Sequence, residues 1–526
     1  MSPGQWEPDR GPVDDRTTLL AHALALHALH GPGPWPDGGF PLPDEPPRRN
    51  GEDGPLITSV VLDGVRTHHF GTASEPAAIT QVADLLEAAV SAFPDPASLA
   101  RLHAVLARQP AVDLADDLVE ELRSHTLPRE PLHGVARHLT EYGRARNAVK
   151  LGIVVLGECG DERDRELLLL LGALEELTLY AVVALVKTQP DPQRAAYELA
   201  QRVKNWGRIH AVERLEGSND PEIQAWLLRE GFRNGVLNEY LAHIAATTGD
   251  LYTALLESEV DQALLKGAGN ILATLALIGG PAKDMTDYDD AVPAMHRYAE
   301  LAATAEPTLD MLHDLLTINR CALQHDAGID WPRGEPEHLT HRYEELLARP
   351  VWRELVLAVL NNPHTYGPYG FETALSCAGR LKLPVVAQAL RHLEQDPSSA
   401  YVWSWVVKHS NSETAGSVIA LAMRILPLDV LTSGPTVSRG LGPEHTLDRV
   451  LAAVINDLDE HPGAGVELLR RCLSARTTPT RRRALQILTA WPPEHRPSRL
   501  RDWISAAASA EPDSKLQEEM QAFLPG

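Results

Sequence analysis

The chain has 526 residues, 48 Lys and Arg against 72 Asp and Glu, a formal net charge of −24 and four cysteines. A chain this acidic lacks the cationic surface that broad binding to nucleic acid or to an anionic membrane requires, and it favours a basic partner instead. Cys159, Cys321, Cys377 and Cys472 are far apart and form no CxxC pair, so they read as reduced, mostly buried thiols of a cytoplasmic protein.

The first 16 residues are polar. The apolar run over 18–30 is short and follows Asp14 and Asp15, which predicts a short amphipathic helix over 19–29 rather than a secretory leader or a membrane span. Residues 31–55 are crowded with Pro, Gly and acidic groups and read as a linker, so 1–55 is expected to be a flexible N-terminal segment. The β-prone runs 56–62 and 65–70 flank Asp63-Gly64. This predicts a β-hairpin within 56–75, packed on helices because an isolated hairpin is marginal in water. His68-His69 falls in the second run, where successive side chains point to opposite faces, and reads as a surface pair. Helical spacing follows over 79–93, 96–108, 114–124 and 132–141.

From Arg144 to about Ile278 one pattern recurs four times. Helix-start signals at Asp161, Asp191, Asp220 and Asp250 are separated by 30, 29 and 30 residues. Each Asp stands at an N-cap position, and Pro192 and Pro221 follow at the first helical position, where no N–H is lost. Second helices are expected over 175–187, 206–216 and 235–247, with Gly217 and Gly249 near their ends. Ile209, Val212 and Leu215 form one apolar stripe; Leu237, Leu241 and Ile244 form the next. No single unit can bury its stripe alone, so a fixed period of this size predicts an all-α α-solenoid of stacked antiparallel helix pairs.

Laying the second helices over each other produces two columns. One runs Lys150, Tyr180, His210, Tyr240, Asn270; the other, one turn earlier, runs Arg146, Glu176, Trp206, Val236. Trp206, His210 and Glu213 share a helix face. If these helices line an inner curve, Arg146, Lys150, Glu176, Tyr180, Trp206, His210, Glu213, Tyr240 and His243 form a polar and aromatic surface for a protein partner, at least partly open to solvent. The competing reading is a solvated face with aromatics packed between repeats.

After Gly280 the period fades. Residues 281–290 hold four aspartates but lack the glycine and terminal glutamate of a calcium loop. Helices are expected over 307–316, 336–347, 351–360, 371–381, 384–393, 397–409 and 412–425. A long loop over 427–443 is a functional candidate, and closing helices span 445–459, 465–475, 479–489 and 498–508. The helical chain divides into parts 76–300 and 301–526.

The runs 146–152, 206–215 and 238–241, continuing through Pro435, Gly440-Leu441-Gly442, Pro462-Gly463 and 483–488 to Trp491, resemble a family of bacterial HEAT-like helical-repeat proteins over roughly residues 75–500. Some members are labelled limonene hydroxylase. The resemblance implies the fold, and by that label a cofactor-dependent oxidoreductase. Hydroxylation needs haem, flavin or carboxylate-held iron. The sequence carries no flavin fingerprint and no marked haem thiolate. Its two Glu-x-x-His matches, Glu130–His133 and Glu335–His338, each contain a proline, which places them at helix starts rather than in mid-bundle. Serine elbows, P-loops and HExxH are missing. HEAT-like folds also occur in DNA glycosylases, and Arg470, Arg471, Arg476, Arg481, Arg482 and Arg483 could touch phosphate; set against the net charge they read as a solvated face or an acidic-partner site. The leading expectation is therefore a non-catalytic interaction scaffold with no cofactor and no metal, with the oxidoreductase and the nucleic-acid protein as alternatives.

Overall fold

A computed structural model describes residues 16–45, 59–70, 76–324 and 328–524. Every regular element among them is helical. Contacts divide the described residues into two units: those up to 301, together with 323–324 and 328–336, form the first, and 302–322 with 337–524 the second.

Unit 1 opens with α1 (Leu19–His30), whose N-cap Thr18 accepts from the Ala21 amide. α2 (Ser59–Val65) runs directly into a π-helical turn, Arg66–Phe70. Then come α3 (Pro76–Ala92), α4 (Pro96–Leu106), α5 (Ala111–Ser124), α6 (Arg129–Tyr142), α7 (Arg146–Cys159), α8 (Arg165–Gly172), α9 (Thr178–Thr188), α10 (Pro192–Gln201), α11 (Asn205–Glu213), α12 (Pro221–Trp226), α13 (Glu239–Thr248), α14 (Leu251–Leu256) and α15 (Gln262–Leu275). α6 packs on α7, α8 on α9 and α10 on α11, while α7, α9, α11, α13 and α15 contact one another in succession. The repeat is thus a row of helix pairs. Its core is the apolar stripe of the second helices: Val149, Ile153, Leu156, Val182, Leu185, Ile209, Val212 and Leu241 are all fully buried. Each contributes about 1.5–3 kcal/mol relative to exposure, and only the neighbouring pair makes that burial available.

The period is carried by caps. The Asp191 carboxylate accepts from the Arg194 amide at 2.9 Å, Asp220 from Glu222 at 2.8 Å, and Asp161 from Arg163 at 3.0 Å. Asp250 departs from the pattern: it sits in the left-handed region at φ 51° and makes no side-chain cap bond. α13 also starts later than its period suggests. Asn234 folds the preceding chain by accepting from the Val236 and Leu237 amides, Gly235 takes φ 93°, and Leu237 is left exposed, outside the stripe.

The expected β-hairpin is not formed. Among the described residues 59–70 are helical; 56–58 and 71–75 lie outside them, as do residues 1–15 and 46–55 of the N-terminal segment. Asp63-Gly64 imitates a turn signal locally, but both residues serve tertiary contacts. The Asp63 carboxylate accepts from Lys150 and Tyr180. Gly64 lies flat against the Trp206 indole, where a Cβ would collide with the ring.

Residues 31–45 lie on the same unit. Trp35 and Leu42 are buried, and Asp44 and Glu45 bind the Arg146 guanidinium. The aspartates of the 281–290 loop are largely structural: Asp284 and Asp287 cap each other's turn, and the Asp287 carbonyl accepts from His243.

Unit 2 is a second helical assembly with fully buried Trp352, Trp403 and Trp491. Helix Thr446–Asn456 packs on helices Ala400–Lys408 and Thr478–Ala490. The arginine cluster expected to be solvated is so except at Arg481; the other five stay partly exposed in ion pairs. Arg481 is fully buried against Glu511, and Arg470, Arg471, Arg476, Arg482 and Arg483 each pair with a carboxylate. The four cysteines are buried, and none is in a disulfide.

Candidate functional site

The second-helix columns converge on one object, the chain's own residues 59–70. Position 150 of α7 and position 180 of α9 hold Asp63. Lys150 Nζ lies 2.8 Å from Asp63 Oδ2 and 2.5 Å from Glu176 Oε1, and the Tyr180 hydroxyl donates to Asp63 Oδ2 at 3.0 Å. The Lys150 ammonium also sits 5.2 Å from the centre of the Tyr180 ring. Ser59 Oγ donates to Glu176 at 2.5 Å and accepts from Arg146 at 3.1 Å. Lys150 and Glu176 are both buried, so each charge depends on the other for compensation. Burial, together with the adjacent Asp63 carboxylate, raises the Tyr180 pKa well above its ordinary value and keeps the hydroxyl a donor.

One repeat further on the surface becomes aromatic. Trp206 lies under Gly64, with His68 and Tyr240 rings 5.3 Å from it and His210 at 6.1 Å. His69 Nε2 meets the Tyr240 hydroxyl at 2.8 Å. His68 Nε2 meets Glu213 Oε1 at 2.7 Å, and its Nδ1 donates to the Gly64 carbonyl at 2.8 Å. His210 Nδ1 is 3.9 Å from Glu213 Oε2, while its Nε2, buried, has no hydrogen-bond partner. Hydrogen bonding to Glu213 raises the His68 pKa, and burial lowers that of His210. Burial alone would raise Glu213, but the two imidazoles hold it down to about 2.

Eight of the nine expected surface residues therefore lie together. His243 does not join them; it turns to the Asp287 carbonyl. The row is less open than expected. Tyr180, Trp206 and His210 are between 2% and 5% exposed because residues 59–70 cover them, and Tyr240 keeps partial exposure.

Beside this covered strip a cavity of about 610 Å³ remains. Val112 and Val119 of α5, Val154 of α7, Leu179 and Val183 of α9 and Ile244 of α13 supply hydrocarbon. His68, His210 and Glu213 line it too, with Asp116, Lys187, Arg214 and Glu216. A volume of this size, lined about equally by aliphatic and by polar or charged residues, suits one small ligand or one inserted side chain.

Sequence reasoning missed His68. On a strand it would sit opposite His69 on the surface; on the π-helical turn it is half-buried against Glu213, and the two rings lie 6.4 Å apart, both against Tyr240. It also missed a relay in unit 2. Ser438 Oγ lies 3.1 Å from His445 Nε2, and His445 Nδ1 lies 2.9 Å from Asp448 Oδ2. The available signal was His445 and Asp448 spaced by three at a helix start after the long loop. The Gly440 amide donates to the same Ser438 oxygen, and Arg476 binds Asp448, so the relay ties the loop to the helix it precedes. Of the two Glu-x-x-His pairs, His133 binds Asp164 and Glu335 binds His296, each within unit 1.

No family model matches the chain, and no curated protein does. Among solved structures, a match is a circular tandem repeat protein with novel repeat topology and enhanced subunit contact surfaces. It is 17% identical, the alignment covers 85% of this chain and 88% of that one, and the TM-score is 0.14, too low to bear on fold or function. Among the described residues no helix is long and apolar enough to cross a membrane.

Proposed function

We propose that this protein is a helical-repeat binding scaffold, and that a protein partner docks on unit 1 by placing an apolar side chain in the cavity beside residues 66–70. The observation that supports this is a wall of partly exposed aliphatic side chains, Val154, Leu179, Val183 and Ile244, gathered on three of four successive second helices of a strongly acidic chain. Burying such groups is favourable by roughly 25 cal/mol per Å², which is what a partner's side chain would gain there. The residues read from sequence as the recognition surface have a supporting part in this proposal. They fix residues 59–70 as one wall of the cavity, and Tyr240 and Glu213 remain accessible at its edge. The charge of −24 favours a partner that is basic around the inserted group.

The test is site-specific photo-crosslinking in the native host, from position 183 and separately from position 244 of the full chain. The proposal expects one and the same protein to be captured at both positions, with capture lost when Leu179→Asp is added and cooperative melting is retained. Capture of nothing at either position, or capture indifferent to Leu179→Asp, would reject it.

A further inference from the structure

We propose that His68, His210 and Glu213 form a binding site for a divalent first-row transition-metal ion, with an open coordination position facing the cavity. This inference does not depend on the partner proposal; it stands on the geometry of three side chains.

Two of them come from one helix. His210 and Glu213 are three residues apart on α11 and so project from the same face. The third is delivered from across the groove by the π-helical turn that follows α2. One ligand atom from each residue falls in a set whose members all lie within 4.8 Å of one another. Ligand atoms at about 2.0–2.2 Å from a shared ion stand roughly 3–4 Å apart, so small side-chain rotations would close this set onto one centre.

The hydrogen bonds call for a positive charge between His68 and Glu213. A carbonyl can only accept, so His68 Nδ1 carries a proton for the Gly64 oxygen. In the neutral ring Nε2 is then a lone pair, and it points at a carboxylate oxygen 2.7 Å away. Two acceptors at that distance repel unless something positive lies between them. A proton, making His68 an imidazolium, is one solution; a metal ion is the other. The bond from Nδ1 to a backbone carbonyl is also the contact that holds a metal-binding histidine in the correct tautomer.

His210 is the third donor of the set. A proton on His68 satisfies Glu213 but does nothing for His210, whose Nε2 is buried without a hydrogen-bond partner. The His210 nitrogen that faces Glu213 is Nδ1, 3.9 Å from Oε2, and a metal ion shared with Glu213 and His68 would give that nitrogen a ligand role. Two imidazoles and one carboxylate form a donor set that suits zinc or ferrous iron and leaves coordination positions open. The remaining charges around the cavity, Asp116 and Glu216 against Lys187 and Arg214, balance in number, so the site's own carboxylate decides its preference for a cation.

The experiment uses the full chain stripped with chelator and then titrated with Co²⁺ as a visible probe and with Zn²⁺ as competitor. The expected result is intense d–d absorption saturating near one equivalent and bleached by Zn²⁺. His68→Gln, His210→Gln and Glu213→Gln should each weaken binding by about tenfold or more. X-ray absorption on the wild-type cobalt protein keeps the proposal testable if a variant fails to fold: two imidazoles in the first coordination sphere support the site. Absence of saturable cobalt absorption, a coordination sphere without imidazole, or affinity unchanged in all three folded variants would overturn it.

Discussion

Replacing Lys150 with methionine probes the contact that fastens residues 59–70 to the repeat. Lys150 is 1% exposed and is the ammonium between two carboxylates, Asp63 at 2.8 Å and Glu176 at 2.5 Å. Methionine preserves most of the volume, so the loss is electrostatic rather than a cavity. Asp63 would retain the Tyr180 hydroxyl, and Glu176 would retain Ser59 with Arg146 3.7 Å from its other oxygen. Glu176 Oε2 already lacks a hydrogen-bond partner, so no spare donor takes over. Removing one member of a buried ion pair costs about 3–5 kcal/mol because the remaining charge is uncompensated. Denaturant unfolding of Lys150→Met should show a loss in that range, and hydrogen exchange of residues 59–70 should accelerate. The double variant Lys150→Met with Asp63→Asn should recover part of the loss, since it removes a carboxylate as well. A single-variant cost below about 1 kcal/mol would refute the reasoning, because it would mean that water or a rearranged neighbour already compensates those carboxylates.

Trp206→Ala should lower stability by about 3–5 kcal/mol, since the indole is buried against Gly64, His68 and Tyr240; calorimetry of the folded variant checks this. Gly64→Ala should cost about 1–3 kcal/mol through collision with that indole, and the double variant Gly64→Ala with Trp206→Phe should cost less than the sum of its parts. In unit 2, Ser438→Ala should reduce stability by about 1 kcal/mol, the value of one hydrogen bond. A fluorophosphonate probe should leave Ser438 unlabelled, because its oxygen already accepts from the Gly440 amide and Arg476 binds the aspartate of the relay; labelling would show a reactive serine instead of a loop clamp.

Features whose cause is local were legible in the sequence. Asp191-Pro192 and Asp220-Pro221 mark helix starts because cap and proline act within one turn, and the structure forms both caps. The column through Lys150, Tyr180, His210 and Tyr240 follows from the period, and it does mark one continuous strip of the repeat. What covers that strip was not legible. Asp63-Gly64 carries the local chemistry of a hairpin turn, yet Asp63 answers to Lys150, 87 residues later, and Gly64 to Trp206. A window that ends at residue 75 contains neither partner. The error on His68 followed from the same source, since assigning a strand set its side-chain period to two and pointed the ring away from Glu213. Asp250 shows the opposite failure: it repeats the spacing without the cap, because the chain there turns through a left-handed residue.

The account turns on residues 59–70 being an integral wall of the proposed binding site. Amide hydrogen exchange on the wild-type chain, read in peptides covering residues 60–69, tests this directly. The account predicts slow exchange, comparable with that of α11, and loss of that protection in Asp63→Ala while α11 stays protected. Exchange in residues 60–69 as fast as in an unstructured peptide would contradict it, since the second-helix strip would then be open, and neither the cavity nor the His68 side of the proposed metal site would exist as described.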